Sequence, residues 1–173
     1  MQLDQAISNF FVSVQSPLTN SFFSWVSLSV CIAIVLALAW LVYKKYETKF
    51  LCFAIGTGLL YLLIELIKRI ILRPRPDLLD NFSFPSRHAA LAFFIAFFMP
   101  VEKKWKIVLY LWAILVGTSR LWLNAHWFTD VLIGALIGIL AAYLLKQEII
   151  EEKIKAVGSK THFFSRAFWK KGR

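Results

Sequence analysis

The sequence predicts an all-α fold, a polytopic membrane helix bundle of about five transmembrane helices preceded by an N-terminal interfacial amphipathic helix. Three observations lead there. Apolar residues make up 59% of the 173 positions, where an ordinary soluble domain stays near half even with glycine counted. The excess is gathered into long runs almost free of charge, each long enough or nearly long enough to cross a bilayer. The 20 Lys and Arg against 10 Asp and Glu, a net charge of +10, fall mostly between those runs and after the last. A length of 173 residues suits one domain. The pattern excludes a nucleic-acid binder, a disordered chain and a collagen-like repeat.

Taken in order, residues 1–20 form an interfacial amphipathic segment. Leu3, Ile7, Phe10, Phe11 and Val14 recur at helical spacing before Pro17. The only charge in this stretch is Asp4, so no basic leader precedes an apolar core and a cleavable signal peptide is not expected. Ser21 to Tyr43 is uncharged and as a helix extends about 35 Å, more than the roughly 30 Å hydrocarbon core. Phe50 to Ile67 is a second span, interrupted only by Glu65, and Ala89 to Val101 a third, ended by Pro100 and Glu102-Lys103-Lys104. The third reaches only about 20 Å, so its helix must begin near Pro85 or Ser86 and draw polar residues into the membrane's edge. Trp105 to Leu123 is the fourth. Val131 to Leu145 is the fifth, with Gly134 and Gly138 as a small-xxx-small pair suited to close helix packing. Residues 21–146 thus make one transmembrane domain. Residues 147–173 are a basic tail whose Phe163, Phe164, Phe168 and Trp169 suit a membrane surface. Cys31 and Cys52 lie inside apolar runs as small hydrophobes, and no disulfide framework is expected.

Five spans sort the basic residues by side. Lys44, Lys45, Lys49, Lys103, Lys104 and Lys106 share a side with the tail, which the positive-inside rule makes cytoplasmic. Lys68, Arg69, Arg73, Arg75, Arg87 and Arg120 lie on the other side, where cations need a reason.

The reason is in three segments that emerge on that face. Lys68 to Pro76 presents a Lys and an Arg seven apart at the exit of the second span. Phe84-Pro85-Ser86-Arg87-His88 opens the third, where a helix amino terminus offers unpaired N–H groups and a positive dipole to an anion. Ser119-Arg120 is followed by His126 and, four residues on, by Asp130. On a helix starting near His126 the carboxylate lies a turn below the imidazole, where it can accept Nδ1–H and leave Nε2 free to attack. Glu65, three residues before Lys68, suggests an ion pair orienting Lys68 or Arg69. Trp122 and Trp127 suit interfacial anchors.

These residues resemble the type 2 phosphatidic acid phosphatase superfamily, whose motifs are Lys-x6-Arg-Pro, Pro-Ser-Gly-His and Ser-Arg-x5-His-x3-Asp. Lys68, Arg75 and Pro76 match the first, Pro85, Ser86 and His88 the second, and Ser119, Arg120, His126 and Asp130 the third. The resemblance covers about residues 50 to 145, with Arg87 standing where the motif has glycine. It implies that His126 attacks phosphorus to form a phosphohistidine, that Asp130 orients it, and that His88 protonates the leaving oxygen and then activates water. It implies further that Lys68, Arg75, Ser86 and Arg120 hold the phosphate oxygens, with Arg87 an addition.

Phosphoryl transfer needs positioning and stabilisation of the equatorial oxygens, which fixed cations provide with no metal ion and no cofactor. Asp77 and Asp80 read as turn residues rather than metal ligands. The expected partners are the lipid bilayer and a membrane lipid phosphate, which the resemblance implies is undecaprenyl pyrophosphate, phosphatidylglycerophosphate or lipid A 1-phosphate. The contrasting reading is a transporter or flippase that binds anionic head groups without cleaving them. Sidedness has a direct check in a background without native cysteines. In intact cells Asp80→Cys is expected to react with an impermeant thiol reagent and Thr48→Cys is not; the opposite pattern would invert the topology.

Overall fold

The computed structural model describes residues 2–77 and 82–147; the tail beyond Gln147 lies outside the described residues. Six helices order these: α1 Gln2–Ser13, α2 Pro17–Tyr43, α3 Glu47–Ile71, α4 Arg87–Phe98, α5 Lys103–Trp122 and α6 Phe128–Leu145. The five expected runs fall on α2 to α6; of the segment 1–20 expected at the interface, residues 2–13 form α1 and residues 17–20 open α2.

The first span starts four residues earlier than the uncharged run suggests because its cap lies upstream. Ser16 Oγ accepts the Thr19 N–H at 3.3 Å and Thr19 Oγ1 accepts the Ser16 N–H at 3.0 Å, while Pro17 occupies the first helical position, where no N–H is needed. α3 ends where Leu72 turns left-handed at φ 54°, and Pro74 prevents its resumption. α4 begins after Ser86, where the third span was expected to start, but ends at Phe98, short of the expected Val101.

By length and composition α2, α3 and α6 can cross a membrane. α4 cannot cross on its own: 12 residues give about 18 Å. It survives because protein rather than lipid surrounds it. α2, α3, α5 and α6 all pack on α4, burying Ala89 through Ala92, Phe94 to Ala96 and Phe98. Phe53 of α3 lies 5.7 Å from Phe94 and 5.5 Å from Phe98, ring centre to ring centre. The outer helices carry their large apolar side chains outward, among them Ile32, Leu62, Ile114 and Leu136, as lipid contact demands.

At the end of α4 away from the three motifs, Lys106 Nζ donates to the carbonyls of Ala96, Phe97 and Met99 at 2.9, 3.0 and 2.6 Å. Lys146 Nζ adds a bond to Phe97 O at 2.7 Å. Two ammonium groups thus satisfy carbonyls that the helix leaves open and oppose its negative dipole end.

The tightest packing is between α4 and α6. A Cβ at Gly134 would run into the Ser86 carbonyl oxygen, and one at Gly138 into that of Ala90. The small-xxx-small pair therefore brings α6 against the backbone of α4's first turn. Gly138→Ala should destabilise the protein by about 1–3 kcal/mol, read as a lowered thermal midpoint in detergent. Gly58→Ala, where a Cβ meets nothing within 4 Å, should leave that midpoint in place.

Candidate active site

The α3–α4 and α5–α6 connections meet over the amino terminus of α4. Ser86 is fully buried; its N–H donates to the Asp130 carbonyl at 3.0 Å and its Oγ accepts the Ala89 N–H at 3.5 Å. The second and third motifs are thereby joined through backbone. His88, in the first turn of α4, is half-buried.

Lys68 sits in the last turn of α3, buried, with Nζ donating to Phe82 O at 2.8 Å. Arg120, in the last turn of α5, gives Nη1 to Ser27 Oγ of α2 at 2.6 Å. The Nε atoms of Arg75 and Arg120 are buried without a hydrogen-bond partner among the described residues. A buried donor without an acceptor is costly, so two of them flanking a helix amino terminus make an arrangement that an oxyanion would complete. Arg75 and Arg87 each act electrostatically on both Lys68 and Arg120, and Lys68, Arg87 and Arg120 act on His88. Arg69, by contrast, is exposed at the end of α3.

The His126–Asp130 pair departs from expectation. His126 Nδ1 lies 2.7 Å from the Ser83 carbonyl oxygen and 3.8 Å from Asp130 Oδ2. A carbonyl can only accept, so Nδ1 carries the proton and the tautomer is set by Ser83. Asp130 acts across a longer distance because its oxygens are engaged elsewhere. Oδ1 accepts Arg73 Nη1 at 2.6 Å and Oδ2 the Trp127 N–H at 2.9 Å. α6 starts at Phe128 rather than His126, which leaves His126 in the connection where a carbonyl can reach it.

Arg87 Nη1 pairs with Glu65 Oε1 at 2.8 Å, and its guanidinium lies over the Tyr61 ring at 4.8 Å. Glu65 thus pairs across to α4 and not with Lys68 or Arg69, because the packing of α3 on α4 brings Arg87 to it. Trp127 does more than anchor: its Nε1–H donates to Pro74 O at 2.9 Å. Sequence reasoning missed four contributors: Ser83, whose carbonyl has no side-chain signature, Ser27, one serine in an apolar run, and Arg73 and Asp4. Among the described residues no three His, Cys, Asp or Glu cluster to hold a metal ion.

Burial pushes the His126 imidazole down to about 4, although Asp130 draws the other way; Arg120 and Lys68 add to the fall. The ring is therefore neutral at physiological pH.

The family model of the PAP2 superfamily matches residues 49–151. Phosphatidylglycerophosphatase B of Bacillus subtilis (strain 168) is 30% identical over 176 residues, spanning 88% of this chain and 85% of its own. The crystal structure of the first transmembrane PAP2 type phosphatidylglycerolphosphate phosphatase from Bacillus subtilis superposes with a TM-score of 0.70 at 29% identity, covering 93% of this chain and 87% of that one. That of Aquifex aeolicus LpxE gives 0.69 at 28%, covering 83% and 92%. The protein is an integral-membrane phosphatase. It belongs to the PAP2 superfamily.

The lowered pKa of His126 has a consequence for stability. The unfolded chain takes up a proton near pH 6.5, while the native ring does not until about 4, so stability falls as pH drops through that window and levels off below it. The loss between pH 7 and pH 5 should be about 2 kcal/mol. Denaturant unfolding in detergent is expected to show a pH dependence of at least that size in the native protein and a smaller one, reduced by about that amount, in His126→Gln.

Proposed function

We propose that this enzyme hydrolyses a phosphomonoester or pyrophosphate of a membrane lipid at the extracytoplasmic surface, with His126 as nucleophile. The observation that carries the proposal is a buried, neutral imidazole with its Nδ1–H fixed, within electrostatic reach of Arg120, which like Arg75 has a buried Nε–H without an acceptor among the described residues.

In the first step the Nε2 lone pair of His126 attacks phosphorus. The bond from phosphorus to the lipid-side oxygen breaks, its electron pair goes to that oxygen, and His88 supplies the proton. The phosphate's negative charge, arriving beside His88, is what favours a proton there. Lys68, Arg75 and Arg120 take the equatorial oxygens together with the N–H groups opening α4. Ser86, its hydroxyl capping α4, fixes that end of the helix, and Arg87, tied to Glu65, contributes charge at the rim. As N–P bonding makes His126 cationic, Asp130 stabilises it. In the second step water gives a proton to His88 and attacks phosphorus, the P–N bond breaks back onto Nε2, and phosphate leaves.

A head group at interface depth reaches these residues while its chains stay against the apolar outer helices. The named phosphatases among the relatives support phosphatidylglycerophosphate as a candidate, beside undecaprenyl pyrophosphate and lipid A 1-phosphate. The charge distribution supports the side: Lys44, Lys45, Lys103 and Lys104 cluster at the opposite ends of the helices from the site. A carrier of head groups has use for the arginines but none for a buried histidine with a fixed tautomer beside a carboxylate, so the transporter reading is set aside.

Phosphate release by the purified protein, measured across lipid phosphates and pyrophosphates with His126→Ala as blank, tests this. One lipid class should dominate, EDTA should leave turnover unchanged, and His126→Ala should lower kcat by at least about 1000-fold. Retained turnover in that variant would overturn the assignment of the nucleophile.

A further inference from the structure

Asp4 is a carboxylate on a surface helix, yet it is 4% exposed. Its partners explain the burial. Oδ2 accepts Arg73 Nη2 at 2.7 Å and the Thr129 hydroxyl at 2.9 Å, and Oδ1 accepts the Thr129 N–H at 3.0 Å. Burial alone would raise this carboxyl, but the bonds from the Thr129 backbone, Arg73 and the Thr129 hydroxyl outweigh it and hold Asp4 below the ordinary carboxylate value.

Arg73 is the bridge. Its Nη1 donates to Asp130 Oδ1 at 2.6 Å and to Thr129 Oγ1 at 2.7 Å while its Nη2 holds Asp4, and its guanidinium lies 5.6 Å from the centre of the Trp127 ring. One guanidinium thus sits between two buried carboxylates, one from α1 and one beside the nucleophile. Such an arrangement is stable only as a set, since removing either partner leaves a buried charge uncompensated.

The rest of α1 follows the same connection. Ser8 Oγ donates to Asn124 Oδ1 at 2.6 Å, holding a residue whose φ of 52° turns the chain toward His126. Phe11 packs edge-on against Trp122 at 5.8 Å, and Gln15, just beyond the helix, bonds the Trp122 carbonyl. Positions 4, 8, 11 and 15 form one stripe at helical spacing, and all of it lies on residues 122–129. About a quarter-turn round the helix, Leu3 and Phe10 are each 62% exposed.

We infer that Asp4 and Arg73 are positioning residues for the phosphatase site. Through them α1 holds the Asp130 carboxylate and the His126 connection in register for attack. Neither touches phosphate; they act on the orientation of groups that do. The inference rests on the assignment of His126 and Asp130 made above.

The test uses full-length protein in detergent micelles, with kcat, KM and the thermal midpoint measured for Asp4→Asn, Asp4→Glu, Arg73→Gln and the Asp4→Asn/Arg73→Gln pair. His126→Ala is the blank. Asp4→Asn should lower kcat about tenfold or more with KM within about threefold, since misplaced catalytic groups cost rate rather than binding. Asp4→Glu, which keeps the charge, should recover most of the loss. The pair should lose much less than the product of its single losses, because both act through one contact set. Wild-type kcat in Asp4→Asn, or losses that multiply in the pair, would overturn the inference while leaving the nucleophile assignment intact. If Asp4→Asn does not fold, Asp4→Glu decides: kcat near wild type supports the inference, and a folded protein with kcat as low as Arg73→Gln overturns it. Activity in His126→Ala would instead remove the reading on which the inference stands.

Discussion

Helix α4 meets α6 backbone to backbone, and the site depends on that contact. Gly134 and Gly138 present no Cβ to the carbonyls of Ser86 and Ala90, and the approach they permit lets the Ser86 N–H reach the Asp130 carbonyl. Ser86 of the second motif and Asp130 of the third are thus joined by one hydrogen bond. The same contact explains how a helix too short for the bilayer can exist there. Walled in by its neighbours, α4 can open its amino terminus among polar groups below the ends of α2 and α3. A helix of full span would carry that terminus out to water, where its N–H groups would be hydrated and an anion would gain less from them.

A cluster of cations at the edge of a low-dielectric region needs charge compensation, and the structure divides the arginines accordingly. Arg73 is compensated by Asp4 and Asp130, and Arg87 by Glu65. These two brace the site: Arg73 ties α1 and the α3–α4 connection to α6, and Arg87 ties α4 to α3. Arg75 and Arg120 have buried Nε–H groups without an acceptor among the described residues. The division also accounts for the arginine that replaces the motif glycine. Its backbone N–H stays at the start of α4 while its side chain leaves toward Tyr61 and Glu65, so the substitution adds a cross-brace to α3.

The spans were legible because lipid imposes length and apolarity on every outer helix, and the site's side chains were legible because their spacing is fixed by the ends of those helices. The start of α4 near Ser86 was expected from the shortness of its apolar run, but the helix gains no length from it: it ends at Phe98 and lies among its neighbours rather than crossing alone. What could not be read was pairing between elements. The partner of Glu65 depends on how α3 crosses α4, which no i, i+3 rule contains. Ser27 looks like any tolerated serine in an apolar run until α5 brings Arg120 against it. Asp4, the lone charge of the first twenty residues, gave no hint of its role, because its partner Arg73 comes from another connection altogether.

The replacement of Asp130 by Ser83 as the direct acceptor of Nδ1–H bears on the chemistry proposed for His126. A carboxylate bonded directly to the ring would stabilise the imidazolium in the resting enzyme and raise its pKa, leaving part of the nucleophile protonated and inert. A neutral carbonyl fixes the same tautomer without that cost, and burial then keeps the ring unprotonated. Asp130, at 3.8 Å and already engaged by Arg73 and the Trp127 N–H, exerts a weaker pull at rest. Its charge remains close enough to favour the cation that forms when nitrogen bonds to phosphorus. In the proposed mechanism, dividing orientation and stabilisation between two acceptors lets the ring be a free base before attack and a supported cation after it, with Arg73, bonded to Asp130 Oδ1, holding the carboxylate in place.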